Sequence, residues 1–373
     1  MKKVINLYFD GNQALLFLNS ENLLIMLLWL GELSFASWVL SYGAEHLSLK
    51  FGAKFVGRTL LSVATTLPEI AIVIYASAAG LYDVAIGAGL GSNILMMTLG
   101  LALMLLIATT RLSRAPLKQL DVSSFKSDKL FLLGSALLSA ILLIDGYNYV
   151  DGFVFVGIFV GYIFVAFAEM KKENKINREN RDKDAVRAAA VKPLSSVESS
   201  FQHNVEVTNP QMIKAIIAFA IGTLGIAIGA SPFIDSLQSF SVDIGVSTIV
   251  LAVIISPIAG EMPEKISMMI LARKGAAGAS IAIANVLGSK VLNNSLLLGV
   301  AIFAAMYHGG FFTIIENNAM LGSQMVLATS ITLIALVPLF RRTIGLKVGV
   351  FLLALYLLSI VVQFFMPGAV VPH

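Results

Sequence analysis

Long apolar runs recur along the whole chain and are separated by short polar segments. Each run has 19 to 30 residues, and an α-helix needs about 20 residues to cross the hydrocarbon core of a bilayer. The predicted spans are 22–43, 55–79, 83–108, 129–147, 152–170, 211–230, 244–272, 276–305, 321–340 and 345–366. We therefore expect an all-α integral membrane protein with ten transmembrane helices.

The composition agrees with this class and excludes several functions. Hydrophobic residues make up 57% of the chain and charged residues 13%, whereas roughly a quarter of the residues in soluble domains are charged. The chain has no cysteine, which excludes disulfides, thiolate metal sites and thiol nucleophiles. Residues 1–21 lack a clean apolar core and a small-residue cleavage site, so a cleaved signal peptide is not expected.

One long polar segment, residues 171–210, divides the apolar runs into two groups of five. Its mixed charge and low apolar content are typical of a solvated linker that is partly helical, with a regulatory site as the alternative. The expected organisation is a membrane half over 1–170, a cytoplasmic linker over 171–210 and a second membrane half over 211–373.

The basic residues alternate between loops. They fall between spans 1 and 2, 3 and 4, 7 and 8, and 9 and 10, and in the linker. The other loops, "GLYD", "DGYNYVD", "SPFIDSLQSFSVD" and "YHGGFFTIIENNAM", contain none. By the positive-inside rule the first set is cytoplasmic and both termini lie outside the cell membrane. Only Lys2 and Lys3 fall on the wrong side of this assignment.

The segment 65–100 has an echo at 260–299. The matched residues are Pro68-Glu69 with Pro263-Glu264, Gly91-Ser92 with Gly288-Ser289, and Gly100 with Gly299. The two copies fall in spans 2 and 3 and in spans 7 and 8, five spans apart, and an odd number of spans reverses direction across the membrane. Such inverted repeats are typical of secondary transporters, whose ion sites lie at the midplane.

These Pro-Glu and Gly-Ser segments resemble the two alpha repeats of the cation/calcium exchanger superfamily, which includes sodium/calcium and proton/calcium exchangers. The resemblance covers both halves, with alpha repeats at about 57–100 and 245–299, and extends to "IGTLGIAIGASPFIDSLQSFSVDIGVSTIVLAVI". It implies an antiporter that exchanges calcium or a similar cation for sodium or protons. The expected partners are inorganic cations and the lipid bilayer, with no cofactor and no nucleic acid, and the oligomeric state stays open.

The residues of the repeats supply oxygen ligands. Proline cannot donate to the carbonyl four residues earlier, so Pro68 and Pro263 free the carbonyls of Ala64 and Ala259. A carboxylate at the bilayer centre costs about 3 kcal/mol or more and marks a functional site. Carboxylate, hydroxyl and carbonyl oxygens suit calcium or sodium. The candidate cation-binding residues are Glu69, Glu264, Thr65, Thr66, Glu261, Asn285, Ala64, Ala259, Ser92 and Ser289.

Each feature also has a structural alternative. A membrane proline alone is often a packing kink, the glycines around Gly91 allow close helix approach, and Ser92 could bond back to its own helix. A cation channel and an intramembrane enzyme are the competing functions. The four histidines are scattered outside the repeats and form no His-Glu-x-x-His motif, which gives the enzyme little support.

The second repeat departs from the family pattern in charge. Glu261 stands where the family usually has Ser or Asn, and Lys290 stands where Asn93 follows the first Gly-Ser pair. Since a lone charge is costly in the membrane, we expect Lys290 to pair with Glu261. The alternative is that Lys290 faces away and reaches a polar boundary. The prolines and Gly260 are expected to break the helix of span 7.

Overall fold

The computed structural model describes residues 21–50, 66–190 and 209–366. Two predicted site residues, Ala64 and Thr65, lie outside these ranges. The helices in chain order are α1 (Glu21–Lys50), α2 (Leu67–Ala78), α3 (Tyr82–Leu95 and Leu101–Thr109, joined by a π-turn at Met96–Gly100), α4 (Lys126–Leu142), α5 (Tyr149–Ala190), α6 (Asn209–Asp243), α7 (Thr248–Ala272), α8 (Ala276–Leu292 and Leu298–Gly309, joined by a π-turn at Asn293–Leu297), α9 (Ala319–Leu339) and α10 (Leu346–Gln363). The short strands are β1 (Leu120–Asp121) and β2 (Thr343–Ile344).

The described chain is helical and apolar enough to cross a membrane several times. Seven of its helices, α1, α3, α5, α6, α8, α9 and α10, contain an apolar window long enough to span a bilayer. Two shorter apolar helices are Leu67–Ala78 and the segment 248–261. The predicted all-helical, multi-pass membrane fold is confirmed.

The helices differ in how deeply they are buried within the protein. In α3 and α8, 78% and 83% of the apolar window is buried, against 22% in both α5 and α6. In a membrane protein, exposed apolar faces contact lipid, so α5 and α6 are peripheral and α3 and α8 are central. Polar side chains on α3 and α8 are therefore mostly surrounded by other helices and not by lipid.

Glycine allows the central helix α3 to cross α7 at very short range. A Cβ atom added at Gly91 would overlap the carbonyl oxygen of Val253. Val253 lies four residues before Pro257, which has no N–H to donate to that carbonyl. The freed carbonyl of α7 is therefore packed against the glycine of α3, directly beside Ser92.

The π-turns occupy equivalent places in the two central helices. Met96 lies four residues after Ser92, and Asn293 lies four residues after Ser289. A π-turn inserts an extra residue and frequently marks a functional site. In this register Gly100 corresponds to Leu297, and the predicted match between Gly100 and Gly299 is wrong by two residues.

The predicted loop after span 6 is wrong, because α6 continues through Asp243. The segment carries buried apolar side chains at helical spacing, namely Phe233, Ile234, Leu237 and Phe240. This periodicity buries one helix face and outweighs the local effect of the proline at 232. In a similar way, α5 continues to Ala190, so the first half of the polar linker is helical.

The expected break in span 7 is also wrong. Helix α7 runs without interruption from Thr248 to Ala272, through Pro257, Gly260 and Pro263. A proline removes one backbone donor and adds a local clash, but neighbouring helices can compensate for both within a membrane protein. The backbone of α7 therefore keeps helical geometry and presents its side chains, rather than a broken turn, to the site.

Within the described residues, two β-type pairings connect loops of the two halves. β1 pairs antiparallel with β2, with Leu120 opposite Ile344. An isolated antiparallel bridge joins Tyr147 to Ile315. Each pairing brings a loop of the first half into contact with a loop of the second.

The ribbon of β1 and β2 carries exposed charges. The Asp121 carboxylate accepts hydrogen bonds from the Ser123 hydroxyl at 2.6 Å and backbone N–H at 2.8 Å, and Arg342 lies 3.6 Å away. These Ser123 hydrogen bonds, with a smaller effect of Arg342, hold the pKa of Asp121 below its usual value.

Candidate cation site

The first carboxylate of the site comes from the start of α2. Pro68 occupies the first turn, where its missing N–H costs nothing, and Glu69 follows in the same turn, where the helix dipole favours negative charge. The Glu69 side chain is only 3% exposed. A Cβ atom added at Gly260 of α7 would lie 2.5 Å from Glu69 Oε1. The absence of a side chain at Gly260 is what lets this carboxylate reach α7.

Two further carboxylates come from α7. Glu261 and Glu264 are three residues apart and so share one helix face. Their side chains are 1% and 2% exposed. Both negative charges act on Glu69, so the three carboxylates belong to one electrostatic cluster. The structure thus brings together the Pro-Glu segments of the two repeats.

Ser92 of α3 lies at the centre of a hydrogen-bond network. Its hydroxyl donates to Glu261 Oε1. It also accepts from Lys290 Nζ at 2.6 Å and from Asn293 Nδ2 at 2.6 Å. The hydroxyl therefore links α7 to the first half of α8 and to its π-turn, and does not donate back to its own helix.

Lys290 of α8 is fully buried and forms an ion pair with Glu261 Oε1. The alternative that this lysine faces away from the site is wrong. Because α8 is surrounded by protein on nearly all sides, a lysine on another face of this helix would also contact protein and not lipid or water. Lys265 is also turned inward, 7% exposed, and donates to the carbonyl of Pro257 at 3.4 Å.

Several buried oxygens around this network have no hydrogen-bond donor in the described structure. They are Glu69 Oε2, Glu261 Oε2, Asn93 Oδ1 and Asn293 Oδ1. Asn93 instead uses its amide nitrogen to bond Asn294 Oδ1 at 2.6 Å. A buried acceptor without a partner costs about 1–3 kcal/mol, which a bound cation would recover.

The remaining predicted ligands vary in position. Thr66, Ala259 and Ser289 are buried, with exposures of 2%, 0% and 2%. In the sequence, each lies within three residues of a charged residue of the site. Asn285 is only half-buried. Their assignment as ligands stays a prediction, as it does for Ala64 and Thr65. Within the described ranges, no three acidic or imidazole groups stand close enough to hold a metal ion by themselves.

Sequence reasoning missed Asn293 and Asn294. The signal was present, because an "NNS" run is unusual inside an apolar span. It also missed Glu32 of α1, a membrane carboxylate that packs against Gly225 and Gly229 of α6. Glu32 lies on a different helix pair from the cluster.

A buried, charged and oxygen-rich cluster between the helices of a multi-pass protein is typical of membrane ion transporters. The profile of the sodium/calcium exchanger protein family matches residues 22–168 and 214–365, and the chain belongs to this family. It is therefore a membrane cation/calcium antiporter by family and not an enzyme. The predicted superfamily is confirmed.

Known proteins resemble the chain over most of its length. The "uncharacterized membrane protein MJ0091" of Methanocaldococcus jannaschii is 23% identical over 85% of this chain and 90% of its own. The crystal structure of the H⁺/Ca²⁺ exchanger CAX superposes with a TM-score of 0.71, 20% identity and coverage of 98% of this chain and 86% of that one. The structure of the sodium-calcium exchanger NCX_Mj, soaked with 2.5 mM Na⁺ and 1 mM Sr²⁺, superposes with a TM-score of 0.58 and 22% identity. The match covers 91% of this chain and 97% of that one.

Proposed function

We propose that the protein exchanges calcium, or a similar divalent cation, for sodium or protons by alternating access at a carboxylate site in the middle of the membrane. The observation that carries the proposal is that Glu69 of the first repeat is buried against Gly260 of α7 and interacts electrostatically with the buried Glu261 and Glu264 of the second repeat. Two symmetry-related carboxylates at membrane depth are expensive unless a cation joins them.

The arrangement of contacts favours ten spans in two inverted five-helix repeats. Leu120 and Ile315 are 195 residues apart, and Tyr147 and Ile344 are 197 residues apart, the same offsets as between the Pro-Glu and the Gly-Ser pairs. The pairing of Leu120 with Ile344 therefore repeats the pairing of Ile315 with Tyr147. Equivalent contacts made by equivalent loops support a pseudo-twofold relation between the halves.

The chemistry of the cluster suits calcium. Calcium takes six to eight oxygen ligands and prefers carboxylates, carbonyls and amide oxygens. The buried oxygens of Glu69, Glu261, Asn93 and Asn293 that lack donors are acceptors of this kind. The remaining ligands would come from Glu264 and from among the predicted ligands Thr65, Thr66, Ser289 and the carbonyls of Ala64 and Ala259.

The same electrostatics favour exchange over free passage. An empty carboxylate site in a low-dielectric interior is unfavourable. The protein therefore changes between its outward-open and inward-open states more readily when a cation or protons are bound. A calcium ion that leaves must then be replaced before the return step. Calcium and its counter-ion thereby use one site in turn.

The orientation follows from the basic loops. The proposed arrangement places residues 171–210 in the cytoplasm and both termini outside the plasma membrane. β1 and β2 would then form a cytoplasmic ribbon, and the Tyr147–Ile315 bridge would lie outside.

Calcium-45 uptake into proteoliposomes tests the function. Purified protein is reconstituted with an outward sodium gradient, with an outward proton gradient, or with a membrane potential alone. Uptake driven by either ion gradient is expected, and Glu316→Gln, an exposed loop carboxylate, is the control that keeps wild-type uptake. Uptake driven equally by the potential without a counter-ion gradient would indicate a channel, and no uptake in any condition would remove calcium as the cargo.

A further inference from the structure

The Lys290 ammonium lies among buried oxygen atoms of the candidate cation site. We propose that its ammonium group permanently occupies one monovalent-cation position of the site, so that each cycle carries one monovalent ion fewer. This inference rests on the proposed function. The ammonium contacts Glu261 Oε1 and the Ser92 hydroxyl, which are oxygen ligands of the kind that sodium uses.

The other repeat shows what the pair replaces. With offsets of 195 and 197 residues, Thr66 corresponds to Glu261 and Asn93 corresponds to Lys290. The first half thus has a neutral hydroxyl and amide where the second has a carboxylate and an ammonium. The two charges cancel, so the net charge available to the cargo is unchanged.

Glu261 divides its two oxygens between different tasks. One oxygen is held by Lys290 and Ser92, while Oε2 is buried without a donor. The carboxylate can therefore contribute an oxygen ligand to the cargo without contributing a net negative charge. Because Lys290 is covalently attached and 0% exposed, its ammonium cannot exchange with either side of the membrane.

A merely structural ion pair makes a different prediction. If Lys290 only clamps α7 to α8, its removal destabilises the protein whatever salt is present. If the ammonium occupies a cation position, a small free cation can take its place. The two roles are distinguished by testing whether free sodium restores stability when the Lys290 ammonium is removed.

The test uses Lys290→Asn, which restores the residue of the first repeat. Purified protein in detergent, with a calcium chelator, is heated in sodium chloride or in N-methylglucamine chloride at constant ionic strength. In the variant, the melting temperature should rise with the logarithm of sodium concentration. The steepness of this rise should correspond to about one more bound sodium ion per chain than in the wild type. Lys290→Arg, which keeps the charge, should behave as the wild type.

The counterpart of the test removes the carboxylate. Glu261→Gln combined with Lys290→Asn removes both members of the ion pair and leaves Glu69 and Glu264 as in the wild type, so the sodium dependence added by Lys290→Asn should disappear. An equal sodium dependence in wild type and Lys290→Asn overturns the inference, as does a gain that survives Glu261→Gln. If Lys290→Asn and Lys290→Gln fail to fold even in sodium, and Glu261→Gln restores both, sodium cannot replace the ammonium and the inference also fails.

The readout separates this inference from the proposed function. Sodium-linked stability is measured without calcium, a gradient or a membrane. A wild-type protein that exchanges no calcium would end the proposed function while the melting data still locate a cation position at Glu261. Normal calcium exchange with no gain of sodium dependence in Lys290→Asn would end only the inference.

Discussion

The two repeats bring the same sequence elements to the site but place different charges beside them. Both supply a Pro-Glu pair and a Gly-Ser pair, and both central helices contain a π-turn four residues after the serine. In the first repeat the neighbouring positions are the neutral Thr66 and Asn93. In the second they are Glu261 and Lys290, which form a buried ion pair.

This difference separates two tasks within one site. Under the proposed function, the elements shared by both repeats, such as Glu69 and Gly91, would contact the cargo or allow close helix packing. The elements that differ would change how many positive charges the site holds before any cargo binds. A second asymmetry is steric, because Gly260 leaves room for Glu69 at a position where the first repeat has Thr65.

The largest effect is expected from neutralising either shared carboxylate. Glu69→Gln and Glu264→Gln should each reduce calcium exchange to the background of empty liposomes. A charge pair about 4 Å apart at an effective dielectric of 20 is worth roughly 4 kcal/mol, or about 10³-fold in affinity. Calcium-45 exchange is measured at equal reconstituted protein, with circular dichroism as the folding control. Near-normal exchange in either variant would exclude that residue from the site.

A smaller effect is expected at Gly260. Gly260→Ala places a methyl group against the Glu69 carboxylate, and overpacking of this kind costs about 1–3 kcal/mol. Calcium affinity should fall by about tenfold while the protein stays folded. Gly157→Ala on α5 is the control, since nothing lies within 4 Å of its Cβ position. Equal affinities for the two variants would show that the close approach of Glu69 to α7 has no role.

Cysteine labelling tests the inverted relation of the repeats without changing activity. The chain has no native cysteine, and Ser123 and Ser239 are exposed on described segments. A cysteine at Ser123, or at Ser195 in the linker, should react only from the cytoplasm, and one at Ser239 only from outside. Labelling of the Ser239 position from the cytoplasm would contradict the inverted arrangement.

The smallest effect concerns the ribbon of β1 and β2. Because the pKa of Asp121 is lowered in the folded protein, its contribution to stability is present at neutral pH and is lost as pH falls through the acid range. The melting temperature of Asp121→Ala should lie slightly below that of the wild type at pH 7, and the difference should shrink as pH falls below the ordinary pKa of aspartate. Ser124→Ala is the neighbouring control, and a difference that grows toward low pH would contradict the assignment.

Much of the fold could be predicted because long apolar runs have a direct physical meaning in a bilayer. The alternation of basic loops and the echo of Pro-Glu and Gly-Ser then led to the correct family and to buried Glu69, Glu261 and Glu264. Helix ends were less predictable. The extension of α6 depended on an amphipathic face that a search for uniformly apolar runs passes over.

Other features depend on tertiary contacts that a single sequence does not contain. The π-turns have no clear sequence signature, and the continuity of α7 through two prolines depends on neighbouring helices. The direction of the Lys290 side chain could not be deduced from the sequence, because α8 is enclosed by protein on nearly all sides. The roles of Asn293 and Asn294 became visible only through the network around Ser92.

Equilibrium binding of calcium-45 to the purified protein asks directly whether the Glu69 and Glu264 carboxylates bind the cargo together. We expect one saturable calcium site per chain in the wild type and in Glu316→Gln, and its loss in both Glu69→Gln and Glu264→Gln. Calcium binding of unchanged stoichiometry and affinity in both of those variants would contradict it.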